Sequence, residues 1–270
     1  MSLYLCRQEH VTSPYYIEEL GIHIYSSQEL CYVIYHYPFL AMEDFVNERL
    51  TAFLRRELRM PFLAERLEKW MKSRGTSDEL LFLILHDCGF YTQAEQAAYR
   101  QELSSIRKLP KEEYDKRRAD YFYSLSMFGK AIAMYEKILE DSGEKKLPGE
   151  LKGKIWNNIA ACYGKLFCYQ KAMHAYDCAW NEYPDPELVK RMYFLKVMEP
   201  ELFIKEKYTD MMTEENKASW DAAAQAAMDE ARSGASVIKI DQLFEKDPPS
   251  RIAGAGEVLN RWKVAYRKML

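Results

Sequence analysis

The sequence has little glycine or proline and no long apolar run. Only 11 glycines and 10 prolines occur among 270 residues, whereas 48% of the residues are hydrophobic. This composition excludes a disordered chain and predicts a substantial core. The strongest apolar run, residues 80–85, is far shorter than the roughly 20 residues needed to cross a bilayer. We therefore expect no integral membrane association.

The sequence also lacks an excess of one charge. With 38 basic and 41 acidic residues, the net charge is −3, which argues against a nucleic-acid partner. Arg7, Glu9 and His10 interrupt the segment where a secretory signal would need continuous apolar residues. We expect a cytoplasmic protein.

The cysteines show no CxxC spacing, which argues against zinc or dithiol chemistry. Their neighbours are mostly apolar, as is typical of buried free thiols in a reducing compartment, and a disulfide framework is the poorer alternative. The six cysteines are Cys6, Cys31, Cys88, Cys162, Cys168 and Cys178.

Motifs of known catalytic and phosphate-binding sites are missing, including HExxH, GxSxG and GxxxxGK[ST]. His86, Asp87 and Cys88 are consecutive, and consecutive side chains on a helix point about 100° apart. We interpret them as a helix end closed by Gly89. The GxG at residues 254–256 lacks a third glycine and is interpreted as a flexible approach to a helix. We expect no enzyme activity, cofactor or metal.

Helix signals dominate the sequence. Ser26, Thr76 and Thr92 each precede a glutamate by three residues, the spacing of a capping box. Apolar residues recur at helical spacing over residues 43–58 and predict an amphipathic helix. Residues 22–25 and 237–240 have strand-like composition but no evident pairing partner, so we predict loop or helix edge for both.

An internal repeat provides the most informative pattern. Residues 128–135 align with residues 169–176, and both contain an aromatic residue, lysine, alanine and tyrosine at the same spacing. Ala119 and Phe122 precede the first copy at the offsets that Ala160 and Tyr163 have from the second. The match therefore covers both helices of a hairpin.

The second copy resembles the tetratricopeptide repeat in residue type and spacing. The residues that carry this resemblance are Trp156, Ile159, Ala160, Tyr163, Ala172, Tyr176, Ala179 and Pro184. The resemblance implies an all-α fold, a right-handed superhelical array of helical hairpins. The small side chains of Ala160 and Ala172 would let the paired helices approach closely.

The repeats define three predicted regions. An N-terminal helical region spans residues 1–75, the repeats span 76–184, and a C-terminal helical capping region spans 187–270. Within the repeats, residues 76–108 form a degenerate copy, and 112–145 and 153–186 form the clearer copies. The Ala-rich segment 221–228 is predicted to be a closely packed or a solvated helix, and the final helix is predicted to cap the array with a solvated basic face.

The family resemblance implies a groove lined by the first helix of each pair. Polar groups that can bind an extended peptide fall on that face, and a solvated helix surface is the alternative. The predicted binding residues are Lys116, Asp120, Tyr123, Asn157, Asn158 and Lys165. Asp120 stands where the family's carboxylate-binding groove has asparagine, and Leu188 and Met192 occupy its third pair of basic positions, so that ligand is not expected.

These residues predict an adaptor or scaffold that binds a protein or peptide. A sensor or regulator that holds a small ligand in its aromatic-rich N-terminal region is the alternative. That region contains Tyr15, Tyr16, Tyr25, Tyr32, Tyr35 and Tyr37.

Overall fold

The computed structural model describes residue 9 and residues 11–42, 45–73, 76–141 and 147–270. The chain is mainly α-helical, as predicted, and contains one small β-hairpin. It divides into two compact units, Met1–Tyr114 and Asp115–Leu270. The division falls inside the region predicted to hold the repeats, and the degenerate copy lies in the first unit.

The first unit begins with strands β1 (Tyr15–Ile17) and β2 (Ile22–Ile24). Its helices are α1 (Ser27–His36), α2 (Pro38–Ala41), α3 (Glu48–Arg56), α4 (Pro61–Lys72), α5 (Ser77–Cys88) and α6 (Gln93–Arg107). Apolar side chains from the strands and from α1 to α6 form one core. Tyr99 lies fully buried in it and donates a hydrogen bond of 2.8 Å to the carbonyl of Ile34.

The prediction of loop or helix edge at residues 22–25 is wrong. Ile22–Ile24 pairs antiparallel with Tyr15–Ile17, and Tyr16 lies opposite His23. Gly21 closes the connection with φ of +64°, a conformation that favours glycine. The partner strand is only three residues long, so it carries little periodic signal. The same prediction is also wrong for residues 237–240, which lie inside a helix.

The predicted capping signals are confirmed at three helices. The Ser26 side chain accepts from the backbone of Glu29, and the backbone N–H groups of Thr76 and Thr92 donate to Glu79 and Glu95. The helix predicted over residues 43–58 begins later, at Glu48, because the Asn47 side chain caps it by accepting from Leu50. Residues 43 and 44 lie outside the described residues.

The second unit contains two consecutive helical hairpins followed by further helices. Its helices are α7 (Lys111–Ser124), which begins before the unit boundary, α8 (Phe128–Asp141), α9 (Gly149–Lys165), α10 (Tyr169–Glu182), α11 (Pro186–Met198), a 3₁₀ helix (Glu206–Met211), α12 (Glu214–Arg232), α13 (Ala235–Phe244) and α14 (Pro248–Met269). Helix α9 packs against both α8 and α10. Ala160 and Ala172 are fully buried, as expected for small residues where paired helices approach closely.

The last three helices differ from the rest of the second unit because none of their residues is buried. Helix α12 packs against α11 through Trp220, whose ring lies 5.3 Å from that of Tyr193. The glycines at 254 and 256 lie inside α14, so the predicted flexible approach is wrong. The final helix is predicted to cap the hairpins, but α14 does not cover them along most of its length. Among the described residues, no helix is both long and apolar enough to cross a bilayer.

Candidate functional site

Asp120 lies at the centre of a hydrogen-bond network that joins α7, α8 and α9. Its carboxylate accepts hydrogen bonds from the Tyr135 hydroxyl and from Asn158 Nδ2 at 2.9 Å. Asn158 Nδ2 also lies 3.1 Å from the Tyr135 hydroxyl oxygen. Residues from three successive helices therefore fix one another, and the two clear repeat copies are joined through polar side chains as well as through the core.

Lys116 adds a third donor to the Asp120 carboxylate. Its ammonium lies 2.7 Å from Asp120, one helical turn away, and its side chain is only 19% exposed. Asp120 thus receives three donors from Lys116, Tyr135 and Asn158, which satisfies most of the capacity of a carboxylate. Lys116 keeps donors that Asp120 does not use.

The network continues to α11 through Arg191, which the sequence analysis did not select. Arg191 donates to Asn157 Oδ1 at 2.6 Å, and Asn157 Nδ2 lies 3.3 Å from Asn158 Oδ1. Burial raises the pKa of the Tyr176 hydroxyl on α10, and the nearby Arg191 guanidinium opposes that rise. The Arg191 side chain remains 40% exposed. A guanidinium is therefore held on the same face as Asn157 and Asn158.

Leu188 and Met192, at the positions of the third basic pair in the family's groove, do not lie on the same face as Asn157 and Asn158. Leu188 and Met192 are 5% and 0% exposed and belong to the core of the second unit. Arg191 precedes Met192, so it projects from a different side of α11. Apolar Leu188, Val189 and Met192 alternate with basic Lys190 and Arg191, and this pattern was the sequence signal that could have identified the cation.

The two other predicted residues lie outside this network. The Tyr123 ring contacts the Phe128 ring at 5.3 Å, and burial raises the pKa of its hydroxyl. Lys165 is exposed at the end of α9 and forms no ion pair with another described residue. We call Lys116, Asp120, Asn157, Asn158 and Arg191 the polar face.

Burial dominates the electrostatics beneath the polar face. It raises the pKa of the Tyr135 hydroxyl, and the hydrogen bond to Asp120 raises it further. Burial also raises the pKa of the fully buried Cys162 thiol to about 12. Both groups are therefore protonated and uncharged at neutral pH, which makes Cys162 a poor nucleophile and the face a stable hydrogen-bonding surface.

A second charged cluster fixes the segment that follows α11. The buried Asp177 carboxylate on α10 lies 2.8 Å from the ammonium groups of Lys205 and Lys207 and accepts from the Tyr208 hydroxyl at 2.6 Å. Burial alone would raise the pKa of Asp177, but these three donors outweigh it and hold the pKa well below its usual range. The carboxylate is ionised at neutral pH and anchors this segment to the hairpin.

A cavity of about 360 Å³ adjoins this cluster, lined mainly by apolar side chains such as Met173, Met192 and Leu202. His174 and Asp177 also line it. The His174 ring nitrogen lies 3.7 Å from the Cys178 sulfur, but burial raises the pKa of that thiol. This pair therefore lacks the thiolate that nucleophilic catalysis requires.

Some tyrosines of the N-terminal segment pack against other side chains in the core, and others lie at the surface. Tyr35 stacks on Tyr91 and Tyr99 at ring distances of 4.1 and 5.4 Å. Tyr15 and Tyr16 instead line a cavity of about 310 Å³ together with Arg49 and Arg56. Tyr35 thus serves the core, whereas Tyr25 and Tyr32 are each 50% exposed and the strand tyrosines Tyr15 and Tyr16 line the cavity.

The His86, Asp87 and Cys88 run does not form a joint site. His86 contacts Asp87 at 3.1 Å and Asp87 pairs with Arg66 at 2.5 Å, whereas Cys88 is buried. Gly89 ends the helix with φ of +60°, as predicted. The part of the chain that the structure describes contains no group of three or more potential metal ligands.

Comparison with known proteins provides no relative. No family model, no curated protein and no solved structure matches the chain.

Proposed function

We propose that this protein is an adaptor built on tetratricopeptide-like hairpins that binds a peptide or protein segment on the polar face. The observation that carries the proposal is the network that holds Lys116, Asn157, Asn158 and Arg191 together with Asp120. Helices α7, α9 and α11 are the first helices of successive pairs, and each supplies part of this face. The array of repeats is itself part of the proposal.

The chemistry of the face suits an extended backbone. The ammonium of Lys116 and the guanidinium of Arg191 have more N–H donors than their internal partners use. Because the donors are already fixed by Asp120 and Asn157, little side-chain entropy would be lost when a peptide carbonyl or carboxylate binds. A preorganised face of this kind suits recognition, and the Cys162 thiol beneath it is protonated at neutral pH.

A random peptide library displayed on phage tests this proposal, because it presents many extended sequences to the polar face at once. We expect the protein to enrich a family of related peptides. Lys116→Ala combined with Arg191→Ala should weaken binding of those peptides by at least about tenfold, or about 1.4 kcal/mol. Lys137→Ala is the matched control, because Lys137 is exposed on the outer helix α8.

Circular dichroism melting of the double variant is the control that tests whether it remains folded. Equal binding of the enriched peptides to the protein and to the folded double variant would contradict the proposal. Failure to enrich any related peptides would also contradict it.

A second candidate function is supported by the cavity beside Tyr15 and Tyr16. Arg49 stacks on the Tyr15 ring at 5.6 Å, and Arg56 lines the same cavity, so a small aromatic anion would find both stacking and charge there. This site would make the protein a ligand-dependent sensor. A panel of aromatic carboxylates should then raise the melting temperature, and Arg56→Ala should abolish that rise. No rise with any of them would count against the sensor.

A further inference from the structure

Helix α14 carries a positive charge that contrasts with the rest of the chain. The whole protein has a net charge of −3, whereas α14 contains five basic residues and one acidic residue, Glu257. None of the five forms an ion pair with another described residue. Four of them are exposed. The basic residues are Arg251, Arg261, Lys263, Arg267 and Lys268.

The same helix also has an unusual apolar face. At about 100° per residue, five large apolar side chains of α14 fall within an arc of about 100° around the helix. Three of them, Ile252, Leu259 and Trp262, are 74%, 50% and 54% exposed. We call these three the open face. The other two members of the arc are Tyr266 and Met269.

The end of α14 contacts the hairpins, whereas an earlier stretch at Gly254 packs against Leu243 of α13. The Tyr266 hydroxyl donates to the Leu166 carbonyl at 3.3 Å, between α9 and α10, and Met269 packs against the core of the second unit. The Leu270 carbonyl lies so close to Gly129 that a Cβ there would overlap it. The apolar arc of α14 therefore faces the hairpins in the last helical turn, at Tyr266 and Met269. The open face lies on the same side of the helix, one to four turns before Tyr266.

This arrangement limits what can cover the open face. A flat bilayer would have to approach from the side on which Tyr266 and Met269 meet the protein, so the hairpins would obstruct it. A single helix is about 10–12 Å wide and could lie beside α14 without displacing these contacts. The uncompensated basic residues that flank the open face would attract an acidic sequence.

We propose that the open face of α14 binds an acidic amphipathic helix from a protein partner. Leucine-type side chains of that helix would cover Ile252, Leu259 and Trp262, and its carboxylates would pair with Lys263 and Arg267, which lie beside the open face at about 100° per residue. This surface uses none of the residues of the polar face, so the two binding sites can be tested independently.

The experiment uses the whole protein and two fluorescein-labelled synthetic helices. The acidic probe has leucine on one face and glutamate on the other, and the basic probe has lysine in place of each glutamate. We expect fluorescence anisotropy to show binding of the acidic probe, with affinity that falls as salt increases. The basic probe should bind at least about tenfold more weakly.

Two variants locate the binding surface. Leu259→Ser combined with Trp262→Ser removes the apolar contacts, and Lys263→Glu combined with Arg267→Glu reverses the charge beside them. Each should weaken the acidic probe by at least about tenfold, or about 1.4 kcal/mol. Phe62→Ser is the control, because Phe62 is 82% exposed on α4 and should leave binding unchanged. All substituted side chains are exposed, and circular dichroism melting verifies the fold.

Three results would overturn the proposal. Equal binding of both probes, or binding that the α14 variants leave unchanged, would show that the open face is not used. Binding to phosphatidylserine vesicles that requires Trp262, without binding of the acidic probe, would assign the face to a membrane. Self-association that the Leu259→Ser and Trp262→Ser variant abolishes would assign it to a second copy of the chain.

Discussion

Helices α9 and α14 lie in the same unit, have similar lengths and contain apolar residues at helical spacing, yet their environments are opposite. Helix α9 buries Ile155, Ile159, Ala160 and Cys162, whereas α14 buries none of its residues. The difference lies in the neighbours. Helix α9 packs along its length against α8 and α10, but α14 touches the hairpins only at its end. Apolar periodicity predicts that a segment forms a helix. Burial of the apolar side chains of that helix also requires a neighbouring helix of matching shape.

Polar groups show the same contrast. Those of the hairpins are engaged with one another, from Lys116 through Asp120 and Asn158 to Arg191. None of the basic residues of α14 forms an ion pair with another described residue, although Arg251 donates to the Lys246 carbonyl at 3.0 Å. We interpret the first arrangement as a fixed recognition surface and the second as a surface that a partner completes.

The largest expected effect is a difference between identical substitutions in the two helices. Ile159→Ala removes a fully buried side chain and should destabilise the second unit by about 2–5 kcal/mol. Ile252→Ala removes a side chain that is 74% exposed and should change stability by less than about 0.5 kcal/mol. Urea unfolding followed by circular dichroism measures both. Similar losses for the two variants would show that α14 is packed as tightly as α9.

The next effect concerns the buried carboxylate of α10. Asp177→Asn should destabilise the protein by about 1.5–3 kcal/mol at pH 7, because hydrogen bonds from Lys205, Lys207 and Tyr208 lose their charged acceptor. Asp229→Asn in α12 is the control, because Asp229 is exposed and its hydrogen bond from Gln225 and ion pair with Arg232 lie at the surface. This variant should cost less than about 1 kcal/mol. Urea titrations of the variants provide the comparison.

The effect of Asp177 should depend on pH in a defined direction. Burial raises its pKa, but the three donors lower it more, so the folded-state pKa lies below the unfolded value of about 3.9. The stabilisation is therefore fully present above the unfolded pKa and is lost as pH falls through the folded pKa. The difference between wild type and Asp177→Asn should shrink below about pH 4. A difference that grows toward acid would contradict this assignment.

A smaller effect separates two residues that the sequence placed on the same face. Asn158→Ala removes hydrogen bonds to Asp120 and Tyr135 and should cost about 1 kcal/mol. Lys165→Ala should have little effect on stability, because Lys165 is exposed and outside the network. Thermal melts of the two variants test this difference, and equal stabilities would show that the network contributes no stability.

The smallest effect concerns the contact at the end of α14. Gly129→Ala places a methyl group against the Leu270 carbonyl and should displace the last turn of α14. Global stability should change by less than about 1 kcal/mol, because alanine favours helix α8 relative to glycine. Limited proteolysis should then cleave near Arg267 and Lys268 faster than in wild type. Unchanged cleavage would show that the contact does not hold the helix end.

Local features of the sequence predicted the hairpins and the caps. The repeated alanine and tyrosine positions predicted α7 to α10, and the hydroxyl and glutamate pairs at Thr76 and Thr92 predicted the starts of α5 and α6. All six predicted binding residues lie in helices α7 and α9. The side chains of five of them are partly buried, and four of the six share one network.

The remaining features of the fold and of the polar face depend on contacts between residues that are distant in the sequence. Arg191 joins the polar face because α11 packs beside α10, and the spacing of α11 alone suggested Leu188 and Met192. The β-hairpin is too short to show a period. The exposure of α14 follows from the path of α12 and α13, which a helical pattern does not specify.

Hydrogen exchange of the backbone amides, measured by mass spectrometry at pH 7, tests the contrast between α9 and α14 most directly. We expect amides of α9 and α10 to exchange only through the slowest openings of the second unit, since both helices contribute fully buried side chains to its core. Amides of α14 before Tyr266 should exchange at least about tenfold faster, because no buried side chain holds this part of the helix in place. Equal protection of α9 and α14 would contradict the account.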